Sequence, residues 1–170
     1  MTLLVQYTLI FASVLALVAL GGCFSEHSGV INIGLEGIMV MGALGGALAM
    51  KFIPASTPGI VLFILIVLTS ALVGMVFSLF LGVAAIHFNA DQTLVGTALN
   101  LMGTAAAVVI VRAINVAENP DNVSSTVVYR QAKQVFLVKI GDFEFNWFML
   151  LVVLAIIASH VVLYLSLIHI

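Results

Sequence analysis

The sequence predicts an all-α fold, a polytopic transmembrane helical bundle of about five membrane segments, and three observations carry that reading. Hydrophobic residues make up 64% of the 170 and charged residues only 7%, against about 25% charged in soluble domains. Mean hydropathy is +1.32. The apolar residues gather into runs long enough to cross a bilayer core, which takes about 20 residues of helix. A chain this poor in charge cannot cover a soluble globule with polar surface. The net charge of −2, with no cluster of Lys or Arg, offers no nucleic-acid surface. The single Cys23 excludes an internal disulfide framework.

The first span is expected at residues 3–24. Leu20-Gly21-Gly22-Cys23 resembles a lipoprotein cleavage site, but Met1 to Gln6 holds no Lys or Arg for a signal n-region, so a membrane span is the better reading. The second span is expected at residues 31–50, with Asn32 and Glu36 near its start. Gly29, Gly34 and Gly37 predict a late start or a break near residues 29–37. Pro54 and Pro58 mark the next loop. The run at residues 59–88 is about 45 Å long as helix, so it tilts or begins in the interface. His87 to Gln92 forms a short polar turn before a fourth span at residues 93–111. A long polar connection follows, with a turn at residues 118–122 and a β-branched stretch, residues 126–138, suited to a short hairpin or interfacial segment. The fifth span is expected at residues 146–165, anchored by Trp147 and Tyr164.

Polar and small residues then mark candidate contacts. Ser70, Gly74, Ser78 and Gly82 recur every four residues, a small-residue face suited to close helix packing. Thr93, Thr97, Asn100 and Thr104 share one stripe of the fourth span. Threonine hydroxyls satisfy themselves on their own helix, but the Asn100 amide needs partners elsewhere. Glu36 inside a span is expensive, about 2.5–3.5 kcal/mol at a helix centre and less toward the interface. Asn32 shares its face. The expectation is that Asn32, Glu36 and Asn100 turn inward and line a polar pathway, with a structural cap or interhelical pair as the competing role for Glu36. His27, His87, His160 and His169 are scattered, so no metal site is expected. No nucleophile elbow or phosphate-binding glycine loop appears, and no catalytic residue is assigned.

Two ordered stretches carry a resemblance. Residues 19–37, ALGGCFSEHSGVINIGLEG, and residues 89–101, NADQTLVGTALNL, resemble the two signatures of ABC-transporter permease subunits. The resemblance is to the nucleoside and simple-sugar uptake group, within the branched-chain amino-acid and ribose permease superfamily. His27 stands where that group usually has arginine. The resemblance implies a permease subunit of a bacterial importer, multi-pass in the cytoplasmic (inner) membrane, moving nucleosides or simple sugars. It further implies a second permease subunit, a cytoplasmic ATPase subunit that binds the ATP, and an extracytoplasmic substrate-binding lipoprotein. This chain itself would hold no cofactor. Residues 1–165 would then be a partial transmembrane permease domain, and residues 166–170 an atypical tail at a truncated end that lacks the coupling loop. Lys51, Arg112, Arg130, Lys133 and Lys139 fall on one side of five simple crossings. The positive-inside rule makes that side cytoplasmic, whereas the resemblance makes it external. A branched-chain amino-acid permease remains the alternative. Two other classes stay open: an intramembrane enzyme using Glu36, Asp91 and His87, and a purely structural bundle.

Overall fold

The computed structural model describes residues 2–54, 56–128, 137–140 and 143–165. In chain order they form α1 (Thr2–His27), α2 (Leu35–Phe52), α3 (Gly59–His87), α4 (Gln92–Glu118), β1 (Leu137–Ile140), β2 (Phe143–Asn146), α5 (Trp147–His160) and a π-helical turn, Val161–Leu165. Four of the described helices, α1 to α4, are long and apolar enough to cross a membrane, and a shorter apolar helix spans Met149–Leu163. The chain is a polytopic helical membrane protein. Its contacts divide it into two compact units, Met1–Val30 with Lys133–Ile170, and Ile31–Ala132.

In the first unit α1 and α5 pack on each other. The end of α1 explains the first half of the polar stretch. Gly29 takes φ +81°, a conformation that favours glycine. This lets the Val30 N–H return to Ser25 O at 3.2 Å and the Gly29 N–H to Glu26 O at 3.0 Å. That pair of bonds is a Schellman stop, which satisfies carbonyls the helix end would leave open. Ser25 Oγ donates to Val30 O at 2.8 Å and Ser28 Oγ to Ser25 O at 2.6 Å, tightening the same turn. β1 and β2 form an antiparallel hairpin in which Val138 pairs with Phe145 and Lys139 with Glu144. The hairpin therefore lies after most of the β-branched stretch. Residues 129–136 of that stretch, the side chains of Trp147 and Tyr164, and the tail at 166–170 lie outside the described residues.

In the second unit α3 and α4 both pack on α2. Phe77, Leu81 and Leu99 are buried together, with Ile38, Met41 and Val95 packed around them. Phe77 and Phe80 meet edge to face, centroids 5.8 Å apart. α2 and α3 run antiparallel: Gly74 faces Ile38, Ser70 faces Gly42, and Ile66 faces Gly46. α2 and α4 run in the same direction. Residues near the start of α2 meet the first turns of α4, and Lys51 near the end of α2 bonds Glu118 at 2.8 Å. α4 thus continues two turns past the end expected from apolarity at residue 111. Asn115, 2% exposed, donates to Ser124 O and Thr126 O at 2.8 and 3.1 Å and ties the following segment to α4.

The turn between α3 and α4 is built by its polar residues. Asn89 adopts φ +47°, a left-handed conformation that Asn tolerates better than most residues. Asp91 is the N-cap of α4 and accepts from the backbone N–H groups of Thr93 at 2.8 Å and Leu94 at 3.1 Å. That satisfies two of the four donors every helix start leaves open.

Candidate functional site

α2 does not begin where the apolar run begins. Residues 31 and 32 belong to no helix or strand, residues 33 and 34 form a turn, and the helix starts at Leu35. Its N-cap is Gly34, which has no side chain to cap with. Backbone outside a helix is tolerated at membrane depth only where protein or water satisfies it, so its partners decide whether this start is stable. They come from α4.

One face of α4 runs along this lead-in residue by residue. Gln92 Oε1 accepts from the Ile31 N–H at 3.0 Å. One turn later Gly96 lets the backbones touch: a Cβ there would sit 2.8 Å from Gly34 N and 3.2 Å from Ile33 C. One turn further Asn100 makes two bonds. Its Oδ1 accepts from the Gly37 N–H at 2.7 Å, and its Nδ2 donates to Ile33 O at 2.9 Å. Gly103 completes the row, where a Cβ would fall 2.8 Å from Gly37 O. Viewed from α2, a Cβ on Gly37 would strike Leu99 O and come within 2.9 Å of Asn100 Cα. Residues 31–37 of the first quoted stretch and the second quoted stretch are therefore two sides of one contact, over 60 residues apart in the chain.

The candidate pathway residues take different places on this contact. Asn100 sits on it, both ends of its amide on α2 backbone. Asn32 lies within the lead-in. Its Oδ1 is enclosed, has no hydrogen-bond partner among the described residues, and lies 3.4 Å from where a Cβ on Gly34 would be. Glu36 is the second residue of α2, with an exposed side chain. Among the described residues no hydrogen bond joins its carboxylate to Asn32 or Asn100. A carboxylate in the first helical turn is favoured by the helix dipole.

The threonine stripe behaves otherwise. Thr97 Oγ1 donates to Thr93 O at 2.9 Å and Thr104 Oγ1 to Asn100 O at 3.0 Å, and all three threonines are exposed. The face of α4 that meets α2 is Gln92-Gly96-Asn100-Gly103, and its glycines were the missed signal. Small-residue spacing, applied to α3, applied equally to α4. On α3 the expected row divides. Ser70 Oγ donates to Gly42 O at 2.7 Å, and Gly74 is buried, with Gly42 Cα 3.9 Å from where its Cβ would be. Ser78 Oγ turns back to Met75 O at 2.7 Å, and a Cβ at Gly82 would meet nothing within 4 Å. Asp91 is occupied as the α4 cap, and His87 is the last residue of α3. Among the described residues no group of three or more His, Cys, Asp or Glu is placed to hold a metal ion.

Comparison with known proteins gives one family and several relatives. Residues 4–167 match the family described as branched-chain amino acid transport system / permease component. The chain is 42% identical over 118 residues to the guanosine ABC transporter permease protein NupQ of Bacillus subtilis, covering 67% of this chain and 35% of that protein. It is 36% identical over 110 residues to the nucleoside ABC transporter permease protein NupC of Lactococcus lactis, covering 65% and 34%. A putative glucose ABC transporter permease protein of Haloferax volcanii is 51% identical over 43 residues, 25% of this chain and 13% of that protein. The chain spans about a third of the length of NupQ and NupC. No solved structure matches.

Proposed function

Because the chain belongs to the branched-chain amino acid transport system / permease component family, we propose that it is the transmembrane permease subunit of a bacterial ATP-binding-cassette importer for nucleosides. It works in the cytoplasmic membrane as a translocation subunit and performs no covalent chemistry. ATP is bound by a separate ATPase subunit. A second permease subunit and an extracytoplasmic substrate-binding lipoprotein complete the assembly. The observation that carries this reading is the family match over residues 4–167, and the names of NupQ and NupC favour nucleosides over amino acids.

The solute path runs past the start of α2. Uncharged nucleosides need hydrogen-bonding groups more than fixed charges, and this segment concentrates them in an otherwise apolar molecule. Asn32 offers an amide just ahead of the helix, and Glu36 a carboxylate in its first turn. Glu36→Gln keeps shape and hydrogen bonding, while Glu36→Leu removes both. With the assembled transporter in membrane vesicles, labelled guanosine should be taken up on ATP addition. Gln should retain most of the rate, and Leu should lose it at normal membrane abundance. Uptake of leucine without guanosine would replace this reading with the amino-acid permease. Wild-type rates for Glu36→Leu would remove Glu36 from the path.

A further inference from the structure

α2 lacks a capping side chain of its own, and the cap arrives from another helix. Gly37 is the third residue of α2, the position whose N–H an N-cap side chain ordinarily satisfies. Here the acceptor is Asn100 Oδ1, at 2.7 Å. The same amide donates to Ile33 O, the carbonyl just ahead of the N-cap, at 2.9 Å. One side chain therefore clamps the carbonyl before the helix start and the amide after it. Asparagine suits this task because it is donor and acceptor at once. The clamp is local to one end. Gly96 and Gly103 flank it and let the backbones close to contact, while Gln92 holds Ile31 a further turn away. α3 touches α2 from Ile38 onward and makes no hydrogen bond to residues 31–37 among the described residues.

We infer that Asn100 is a positioning residue of the translocation path: it caps α2 in trans and sets the geometry in which Asn32 and Glu36 are presented, without contacting the solute itself. The inference rests on the pathway reading above. Lipid offers the Gly37 N–H and Ile33 O no partner, so without Asn100 only water of the path could replace the clamp, and water does not fix the segment's position. Losing the clamp leaves the lead-in free to fray or to wind into α2, and either change moves Asn32 and Glu36. Movement of α4 against α2 must break or carry this clamp, so the start of α2 follows α4 and not α3.

The test is amide hydrogen exchange of the assembled transporter in nanodiscs, together with ATP-driven uptake in vesicles of whichever solute it moves. In Asn100→Ala, exchange at the Gly37 amide should speed up about tenfold, the scale of one lost bond. Exchange in the second half of α2 and in α3 should stay unchanged. Turnover per folded transporter should fall about tenfold at unchanged KM. Asn100→Asp keeps the acceptor and loses the donor, so it should hold Gly37 near its native exchange rate while turnover falls part of the way. This variant also decides the matter if the alanine variant does not fold. Native exchange at Gly37 in Asn100→Ala, or equal acceleration in both variants, would overturn the cap. Accelerated exchange with unchanged turnover would overturn the positioning role and leave the transporter assignment standing. The exchange measurement is independent of which solute is carried.

Discussion

α2 is held by two neighbours in two different ways. Against α3 it leans more on side chains: Val73 and Ile66 lie over Gly45 and Gly46, Ser70 Oγ bonds Gly42 O, and the nearest backbone atoms, Thr69 O and Ser70 O, stand 3.1 and 3.2 Å from where a Cβ on Gly45 and Gly42 would be. Against α4 its start uses backbone: Gly37 on Leu99 and Asn100, Gly96 on Gly34, and amide bonds from Gln92 and Asn100. Aliphatic side chains have alternative rotamers, so the α3 contact has room to adjust. Peptide groups in contact have none. The region that carries the polar residues is therefore the one with the least freedom, which suits a segment whose exact backbone path matters more than its burial.

The largest effect should follow a side chain placed on the rigid side. Gly37→Val sets a Cβ into Leu99 O and within 2.9 Å of Leu99 C and Asn100 Cα. No rotamer relieves a clash with backbone. Overpacking ordinarily costs about 1–3 kcal/mol, and this site should lie at or above the top of that range. Folded protein recovered from membranes, measured by size-exclusion profile and thermal stability, should be nearly absent. A stable Gly37→Val protein would mean that α4 and α2 do not touch there.

Much of this architecture was legible in the sequence, and what escaped has identifiable causes. Hydropathy placed α1 to α4 because a membrane span is a composition signal read over about 20 residues. The late start of α2 was legible in Gly29, Gly34 and Gly37, which favour no helix. The end of α4 was not, because residues 112–118 are polar yet still helical, and apolarity marks the bilayer and not the helix. The glycines on the contact face of α4 escaped notice for a related reason. The Thr97 and Thr104 hydroxyls bond their own helix, as expected of threonine. Gly96 and Gly103 have no chemistry to notice until a partner backbone lies against them. Asn100 was singled out correctly as needing a partner. That the partner would be α2 backbone depends on a pairing across more than 60 residues, which local pattern does not encode.

A smaller effect should follow on the adjustable side. Gly45→Ala would bring Cβ to 2.7 Å from Val73 Cγ2 and 3.1 Å from Thr69 O. A rotamer change, which a β-branched side chain in a helix resists, would move Val73 Cγ2 but not Val73 Cβ at 2.9 Å, so the two helices must also part slightly. A loss of about 1–2 kcal/mol is expected, seen as a lower melting temperature with folded protein still recovered. Pairing it with Val73→Ala should restore only part of the loss, because that removes Cγ2 but leaves the Cβ of residue 73 at 2.9 Å and Thr69 O at 3.1 Å. No comparable rescue exists for Gly37→Val, and a single suppressor in α4 that restored it would erase the distinction between the two contacts.

Ser70→Ala removes one bond, Ser70 Oγ to Gly42 O at 2.7 Å. Interhelical hydrogen bonds of this kind contribute about 0.6 kcal/mol on average in membranes. Gln92→Ala should fall in the same range, since its bond to Ile31 lies at an exposed end. Both proteins should fold, and only Gln92→Ala should alter exchange at Ile31.

The smallest effect, and the one that reaches beyond this chain, belongs to Gly82. Sequence spacing places it on the same face as Ser70 and Gly74, but a Cβ there would meet nothing within 4 Å. Helix geometry supplies the reason. A strict four-residue repeat advances 400° per step, so it drifts about 40° each turn around a helix of 3.6 residues per turn. From Ser70 to Gly82 the row has drifted about 120°, while the buried face has passed to Phe77 and Leu81. Within the chain alone, Gly82→Ala should stabilise α3 slightly, by up to about 1 kcal/mol from helix propensity, and Gly82→Leu should be neutral. Measured in the transporter assembly proposed above, the same two variants report on its other subunits. If Gly82→Leu lowers assembly while Gly82→Ala does not, Gly82 packs on another subunit, and the small-residue face expected of α3 is divided between α2 and that neighbour. If both assemble and transport normally, the second half of that small-residue row meets lipid, and its contact with α2 ends at Gly74.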